Sequence, residues 1–577
     1  MAAVPERKPK RPFGEAKFHL VLVAACSFLG GTATGRAETN RLEIEAVSAL
    51  AQVFPSGAPR GAHVARLEAA RGEWEPFQIV VKNGSGVRAT VGPLRGDGGA
   101  TVPAPLLYRV GYIDVKTPSS VEGRAGLWPD PLIPDVDAYV GERRNAFPFD
   151  VPDGEVRAIW VSLFVPENAA PGAYRGAVTV SADRGSVDMP IELTVHRFAL
   201  PRSSSIPVTF GISAGAVAKG HHLAERDQAL YRRYGVAALR HRLSLHGGTM
   251  DPPPFKQRAD GEVVVNFEPY DAEVGPFLDG TADKGGPADG ARFTAIDLRV
   301  PARLQGPARE RYTRAMVEHM RSRGWLDRVF AYAFDEPKAD RLAEVRAVAE
   351  RIRAAAPEVP RLVTKELLPE LIGSVDIWCP IVNHIDDKPE GARMPSRQSY
   401  DARLRAGEKL WWYQSCMSHG CDIVGGAYFT GWPSYVVDAP AVAHRIFEWL
   451  TFRYRVGGEL YYQTVEAYAR GLDPWRDEHV SGGNGDGTLF YPGRPDTIGG
   501  KTDIPVESIR LELIREGLED YEYLRLHAER YGRDATLAIA GAIARKTYDW
   551  EHDGGRLYEA RHRLATEIDA APARPSR

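Results

Sequence analysis

The residues Phe334-Asp335-Glu336-Pro337 hold the most chemically suggestive spacing in this chain. Two adjacent acids close an apolar run, Val329 to Phe334, that reads as a buried strand. Side chains alternate faces along a strand, so both acids reach one cavity only where the strand ends. Pro337 is expected to hold Glu336 extended and to stop the ladder there. Two carboxylates at the mouth of a parallel barrel suit acid/base chemistry on a sugar. The dipeptide alone is not specific, because Asp477-Glu478 recurs in a polar stretch.

Positioning such a pair takes parallel strands with helical crossovers. From about Ser204 strand-like and helix-like segments alternate in that way. Eight strand candidates cover 207–211, 238–243, 293–298, 329–334, 361–364, 375–379, 409–414 and 459–464. Helical patterns cover 223–234, 309–323, 338–355 and 439–454. The count matches a (β/α)8 barrel, whose active sites lie at the C-terminal strand ends. The acidic pair terminates the fourth strand. The stretch 247–292, rich in Gly, Pro and Asp, reads as a long loop on the second unit.

The other strand ends would then supply sugar-binding groups. They offer Arg242 after strand two, Asn383 and His384 after strand six, Trp411-Trp412-Tyr413-Gln414 on strand seven, and Tyr461-Tyr462-Gln463 on strand eight. Alternation lets about half of each aromatic cluster face a pocket. Trp412 and Tyr462 are the stronger candidates, with Tyr413 beside them. After strand eight, the glycine-rich run 482–493 lacks the Gly-Lys-Ser/Thr ending of a phosphate loop. It reads as a tight loop bringing Asp486 or Tyr491 to the mouth.

Around this unit, residues 38–203 read as an all-β sandwich of short alternating strands between Gly/Pro/Asn turns. The barrel spans 204–504, and 505–570 reads as a helical segment. Apolar residues recur at helical spacing along 508–524 amid dense charge, which reads as a solvated face. The first 37 residues look like an export signal. A basic start precedes an apolar run, and Gly35-Arg36-Ala37 is a small-x-small cleavage site. Within the apolar run, Val23-Ala24-Ala25-Cys26-Ser27 offers an alternative, a lipobox that would anchor the chain through Cys26. The expected location is periplasmic, cell-surface or secreted.

Composition is globular, with 44% hydrophobic and 26% charged residues among 577. Residues 1–37 carry six Lys/Arg and two Asp/Glu, so the overall charge of −3 becomes −7 beyond them. No basic stripe invites nucleic acid, and a neutral glycan is the better partner. No later apolar run is long enough to span a bilayer. Cys416 and Cys421 could pair in an oxidising compartment. No zinc-type Cys/His spacing occurs, and neither a metal nor an organic cofactor is expected.

Several segments resemble, in collinear order, proteins carrying the glycoside hydrolase family 123 catalytic domain and the related domain-of-unknown-function 4091 group. They are Arg71-Gly72-Glu73-Trp74-Glu75-Pro76-Phe77-Gln78, Trp128-Pro129-Asp130-Pro131-Leu132, Ala170-Pro171-Gly172-Ala173-Tyr174-Arg175-Gly176, the Asp335-Glu336 tetrapeptide, the Gly-Asp-Gly…Tyr-Pro-Gly loop, and Arg510-Leu511-Glu512 through Tyr521-Glu522. The resemblance implies a β-sandwich, a (β/α)8 barrel and a helical C-terminal segment. It also implies β-N-acetylgalactosaminidase chemistry, with Glu336 as general acid/base and Asp335 holding the substrate's 2-acetamido group while that group attacks the anomeric carbon. Such an acid must keep its proton at working pH, which burial and the neighbouring Asp335 would favour. Two other readings remain. A same-fold hydrolase of a sugar without an acetamido group would need a carboxylate nucleophile such as Glu366 or Asp386. A glycan-binding surface lipoprotein would need no working pair.

Overall fold

The computed structural model describes residues 41–247, 251–386, 388–422 and 425–571. The export signal, its cleavage site and the Cys26 lipobox lie outside the described residues.

Residues 43–199 form a ten-stranded sheet, antiparallel except where Ala65–Arg71 runs parallel to Gly185–Ala199. Its organiser is the long strand Glu73–Val91. The first half pairs with Glu43–Ser48 and Phe149–Val165, and the second half with Gly172–Ala182. One chain segment thereby joins two sets of strands over a shared core that includes Ile79, Val161, Val180, Ile191 and Leu193. Period-two alternation selects the buried face. Met189, Ile191, Leu193 and Val195 are buried while the residues between them are exposed.

The eight parallel strands follow chain order, with shorter ladders than the sequence suggests. They are Val208–Ile212, Ser244–Gly247, Ile296–Asp297, Val329–Phe334, Arg361–Val363, Ile377–Trp378, Lys409–Leu410 and Glu459–Tyr461. The first pairs with both the second and the eighth, and the third to seventh pair in succession. Trp412 bridges to Glu459 in parallel, linking seventh to eighth. Between second and third, side chains make the join. Ser244 Oγ accepts from Thr294 N–H, and Asp297 Oδ1 accepts from Gly247 N–H. The result is a curled parallel sheet around an interior of Phe330, Leu362, Ile377, Trp411, Tyr413 and Leu460.

Two expectations about local structure fail here. The second strand lies at Ser244–Gly247, not 238–243, because Ala237-Ala238-Leu239 finishes the helix Gln228–Arg240, N-capped by Asp227. Short apolar runs fit a buried helix face as well as a strand. The expected long loop 247–292 contains a hairpin, Phe255–Gln257 with Val263–Val265, and the helix Glu268–Asp279.

The C-terminal segment contains the helices Ile509–Tyr531, Arg533–Ile543 and Gly554–Ala570. Ser508 N-caps the first by accepting from Leu511 N–H. Its charged residues are not solvated, contrary to expectation. Arg510, Glu512, Arg515, Glu516, Glu519, Asp520 and Glu522 are all buried. Arg510 makes a two-pronged contact with Asp130 of the N-terminal sheet at 3.0 and 2.7 Å. Asp520 does the same with Arg445 at 2.6 and 2.8 Å. Glu512 accepts from Trp160 and Arg515 and faces His241. Arg561 reaches Glu73, Glu75 and Asp520. The helix can press close to Arg445 because Gly517 has no Cβ; one would stand 2.7 Å from the Arg445 carbonyl. This helix thus ties the N-terminal sheet to the parallel strands through paired charges. No helix among the described residues is long and apolar enough to cross a membrane.

Candidate active site

The fourth strand delivers Asp335 and Glu336 to the C-terminal rim of the curled sheet, where both are exposed. The burial expected around the acid is therefore absent at this rim. Pro337 does not leave Glu336 extended either. Glu336 has a φ of +38°, the left-handed side that costs a side-chain-bearing residue energy. The turn re-aims consecutive side chains instead of letting them alternate.

One hydroxyl fixes both acids. Thr364 Oγ1, at the end of the fifth strand, accepts from Glu336 N–H at 2.7 Å and donates to Asp335 Oδ1 at 2.9 Å. Tyr332 Oη donates to the same Oδ1 at 2.8 Å. Asp335 Oδ2 takes no hydrogen bond among the described residues, so one oxygen is anchored and the other is available. Tyr413 Oη donates to Glu336 Oε1. Burial and the Glu336 carboxylate beside it push the Tyr413 phenol well up, so it stays a donor.

Asp335 opens onto a cleft of about 950 Å³, lined also by His246, Asp297, Tyr332, Tyr462 and Gln463. His246 is buried and lies nearly parallel to the Tyr332 ring, with centroids 6.2 Å apart. Burial pushes its pKa down despite the nearby Asp297, which keeps it neutral. Tyr462 donates to Asp486 Oδ2 at 3.1 Å, which fixes the phenol at the rim.

The structure separates the other sequence-chosen residues. Trp412 is fully buried on the outer side, where its indole donates to Thr451 at 3.0 Å and packs on Phe447. Alternation runs in the opposite phase to the one expected: Trp411 and Tyr413 turn inward. Arg242 precedes its strand and sits at the far end. It pairs there with Glu519 at 3.2 Å and donates to the Pro201 and Gly72 carbonyls. Asp486 does not reach the cleft; it lies beneath Tyr461 and Tyr462, and burial pushes it up to about 6. Tyr491 is fully buried, its hydroxyl within hydrogen-bond distance of both Asp130 and Glu478 in the Arg510 cluster. Asn383 is buried against Tyr428. His384 faces Glu366 at 3.2 Å. Burial opposes ionisation of Glu366, but His384 and Lys365 hold it down at about 2. Asp386 accepts from Tyr454 on the helix Phe447–Tyr454. Cys416 and Cys421 form a disulfide in the segment after the seventh strand.

The glycine-rich run proves structural. Gly485 and Gly487 adopt φ of +72° and +67°. A Cβ on Gly485 would meet the Arg510 guanidinium at 2.7 Å, and one on Gly487 the Tyr462 hydroxyl at 2.4 Å. Sequence reasoning missed Tyr332, Thr364, His246 and Asp297. Thr364 and Asp297 close or nearly close expected strands, so the strand-end rule alone could have found them. His246 was hidden by the slip in the second strand.

Paired acids at the rim of a curled parallel sheet beside a polar cleft fit a glycoside hydrolase, and comparison with known proteins gives that class. Residues 307–527 match the glycoside hydrolase 123 catalytic domain and residues 108–182 the glycoside hydrolase 123 N-terminal domain. The chain belongs to glycoside hydrolase family 123. A family 123 glycoside hydrolase from Clostridium perfringens, described for glycolipid glycan hydrolysis, is similar in fold, with a TM-score of 0.63 at 14% identity over 92% of this chain and 98% of that one. A putative alpha-galactosidase from Bacteroides fragilis aligns over 69% of this chain and 72% of its own at 8% identity, but its TM-score of 0.23 supports no fold argument. No curated protein matches the chain in sequence.

Proposed function

We propose that this chain is an exported hydrolase that removes terminal β-linked N-acetylhexosamine, with N-acetylgalactosamine as the preferred sugar, by a substrate-assisted retaining mechanism. Its architecture in this reading is a β-sandwich over 38–203, a (β/α)8 barrel over 204–504 and a helical segment over 505–570. The observation that carries the reading is the unequal use of the Asp335 oxygens. Oδ1 is anchored by Tyr332 and Thr364 while Oδ2 remains available beside the cleft. That free oxygen can accept the acetamido N–H, orient the group and raise the nucleophilicity of its carbonyl oxygen. The carbonyl oxygen attacks the anomeric carbon, the glycosidic bond breaks, and Glu336 gives its proton to the departing oxygen. Water then attacks the anomeric carbon of the oxazolinium-type intermediate, the bond from that carbon to the acetamido oxygen breaks and restores the neutral amide, and Glu336 takes the water's proton. The nucleophile belongs to the substrate, one of the exceptions to the two-carboxylate scheme. Adjacent acids suffice for this division of labour.

The rival with an enzymic nucleophile is weaker. Glu366 is engaged by His384 and Lys365, and Asp386 by Tyr454. Export is supported by the basic-apolar N-terminus and by the Cys416–Cys421 disulfide, which suits an oxidising compartment. Aryl β-glycosides with and without a 2-acetamido group test the reaction. Turnover confined to the acetamido sugars, with net retention by NMR, is the expected result. Equal turnover of 2-hydroxy sugars would remove the proposal.

A further inference from the structure

The cleft is larger than one sugar needs. At about 950 Å³ it stands at the upper end of small-ligand sites, which run from roughly 300 to 1,000 Å³. Its wall includes the Pro252-Pro253-Pro254-Phe255 segment, residues 299–303 and Arg309. That wall carries three arginines, Arg299, Arg303 and Arg309.

Their partners are unequal. Arg299 stands 3.6 Å from Asp297. Arg303 is exposed, and its guanidinium lies over the Phe255 ring at 4.5 Å. Phe255 is braced against Tyr312, whose hydroxyl donates to the Pro253 carbonyl at 2.9 Å. The stacking holds the planar fork in place without neutralising it. Arg309 has no carboxylate within ion-pair distance among the described residues. Partial burial and the nearby Arg351 both disfavour its charge. Three acids line the same cleft. Asp297 accepts from Gly247 and pairs with Arg299, Asp335 accepts from Tyr332 and Thr364, and Glu466 accepts from Arg470. Arg303 and Arg309 thus face ligand space without an ion-pair partner among the described residues, in a chain that is acidic overall.

Resting on the glycosidase reading above, we propose that Arg303 and Arg309 form a subsite for an anionic substituent, a carboxylate or a sulfate ester, on the part of the glycan beyond the cleaved bond. A guanidinium fork matches either anion with two parallel N–H···O bonds. The preferred substrate is then an acidic oligosaccharide whose non-reducing terminal sugar is a neutral 2-acetamido hexose.

Three glycans test this: a neutral oligosaccharide ending in β-N-acetylgalactosamine, the same with a carboxylate-bearing sugar on the penultimate residue, and the same with a sulfate there. Calorimetric binding to full-length Glu336→Gln protein reads anion preference without turnover, so it stands even if the assigned reaction is wrong. The neutral aryl glycoside assay reports on the reaction alone. We expect at least one anionic glycan to bind about tenfold tighter than the neutral one, the scale of a charge-assisted hydrogen bond, with the advantage shrinking in 0.5 M salt. Which anion gains more identifies the source of the charge. Arg303→Ala with Arg309→Ala should bring the ratio near one. Arg309→Gln alone, which leaves the Phe255 stack intact, should remove part of it. Equal binding of all three glycans, or a preference that survives the double substitution, would overturn the proposal.

Discussion

Glu336 and Glu512 are the same residue type in opposite settings. Glu336 is exposed at the rim of the curled sheet, touches one tyrosine hydroxyl, and sits on a backbone with positive φ. Glu512 is buried and ringed by Trp160, Arg515 and His241. The rim pair keeps oxygens free at the expense of backbone strain, as sites that must meet a ligand often do. The buried layer leaves little to chance. Its arginines pair with acids across the N-terminal sheet, the helix Ala441–Arg445 and the C-terminal helices. Charge density marks folding in one region and chemistry in the other, and what separates them is access to ligand.

The comparison is broken most forcefully by exchanging one residue in each region. In the buried layer, Arg445→Met removes the two-pronged partner of Asp520, leaving it only Arg561, and takes away the arginine beside Glu516. Removing one partner of such a group typically costs about 3–5 kcal/mol, and replacing it together with Asp520→Leu should cost less than the single change. Urea unfolding of the two variants checks this. At the rim, Glu336→Gln should lower kcat about a hundredfold to ten-thousandfold on substrates with poor leaving groups and much less on activated aryl glycosides. Its unfolding midpoint should stay near the parent's. A large stability loss, or an equal loss of rate on all leaving groups, would erase the distinction drawn here.

The pH dependence of unfolding sharpens the same contrast. Burial, with Asp130 nearby, pushes Glu478 up to about 8 although Arg510 opposes it, and burial raises Glu516 as well. These carboxyls hold protons in the folded state that they lose when unfolded. The contribution of Glu478 is fully present below about 4.5 and fades as pH rises towards 8, and that of Glu516 fades in the same direction. Glu512 works the other way. Burial opposes its ionisation, but Arg515 and His241 pull it down to about 2, so its contribution is lost as pH falls from about 4.5 towards 2. Glu478→Gln, which mimics the protonated form, should flatten the decline between pH 5 and 8. An unchanged slope would show that Glu478 is ionised in the folded protein.

The smallest effect expected is at Thr364. Thr364→Val keeps the shape and removes the hydroxyl that joins Asp335 Oδ1 to the Glu336 N–H. A fall in kcat of about tenfold, with KM little changed, fits loss of the two hydrogen bonds through which this hydroxyl positions the reacting groups. Thr364→Ser should restore most of it, which a packing role for the methyl group would not allow.

Local patterns made part of this molecule legible. Adjacent acids after an apolar strand stand out because a buried strand rarely ends in two charges without reason. The alternating strand and helix rhythm set the order of the eight parallel strands. Phase was harder to read. In Trp411-Trp412-Tyr413 any alternation places an aromatic on each side, so composition could not tell that Trp412 faces Thr451 and Phe447 while Tyr413 meets Glu336. The slip of the second strand from 238–243 to Ser244–Gly247 arose because a helix end and a strand share the same apolar letters. The buried charges of the Ile509–Tyr531 helix were illegible for another reason. Arg510 meets Asp130 across 380 positions, and Glu73 meets Arg561 across 488. A solvated face and a buried one look alike until those partners are brought together.

The most direct test of the central claim is inhibition of Asp335→Asn by a thiazoline sugar, a stable mimic of the intermediate formed by the acetamido group. Groups that act only as the reaction proceeds favour such mimics over substrate. Strong inhibition of the parent, much weaker inhibition of the variant, and similar KM and unfolding midpoints for both are the expected results. Equal inhibition of the two proteins, or a covalent glycosyl-enzyme trapped on a carboxylate by a fluorosugar, would contradict it.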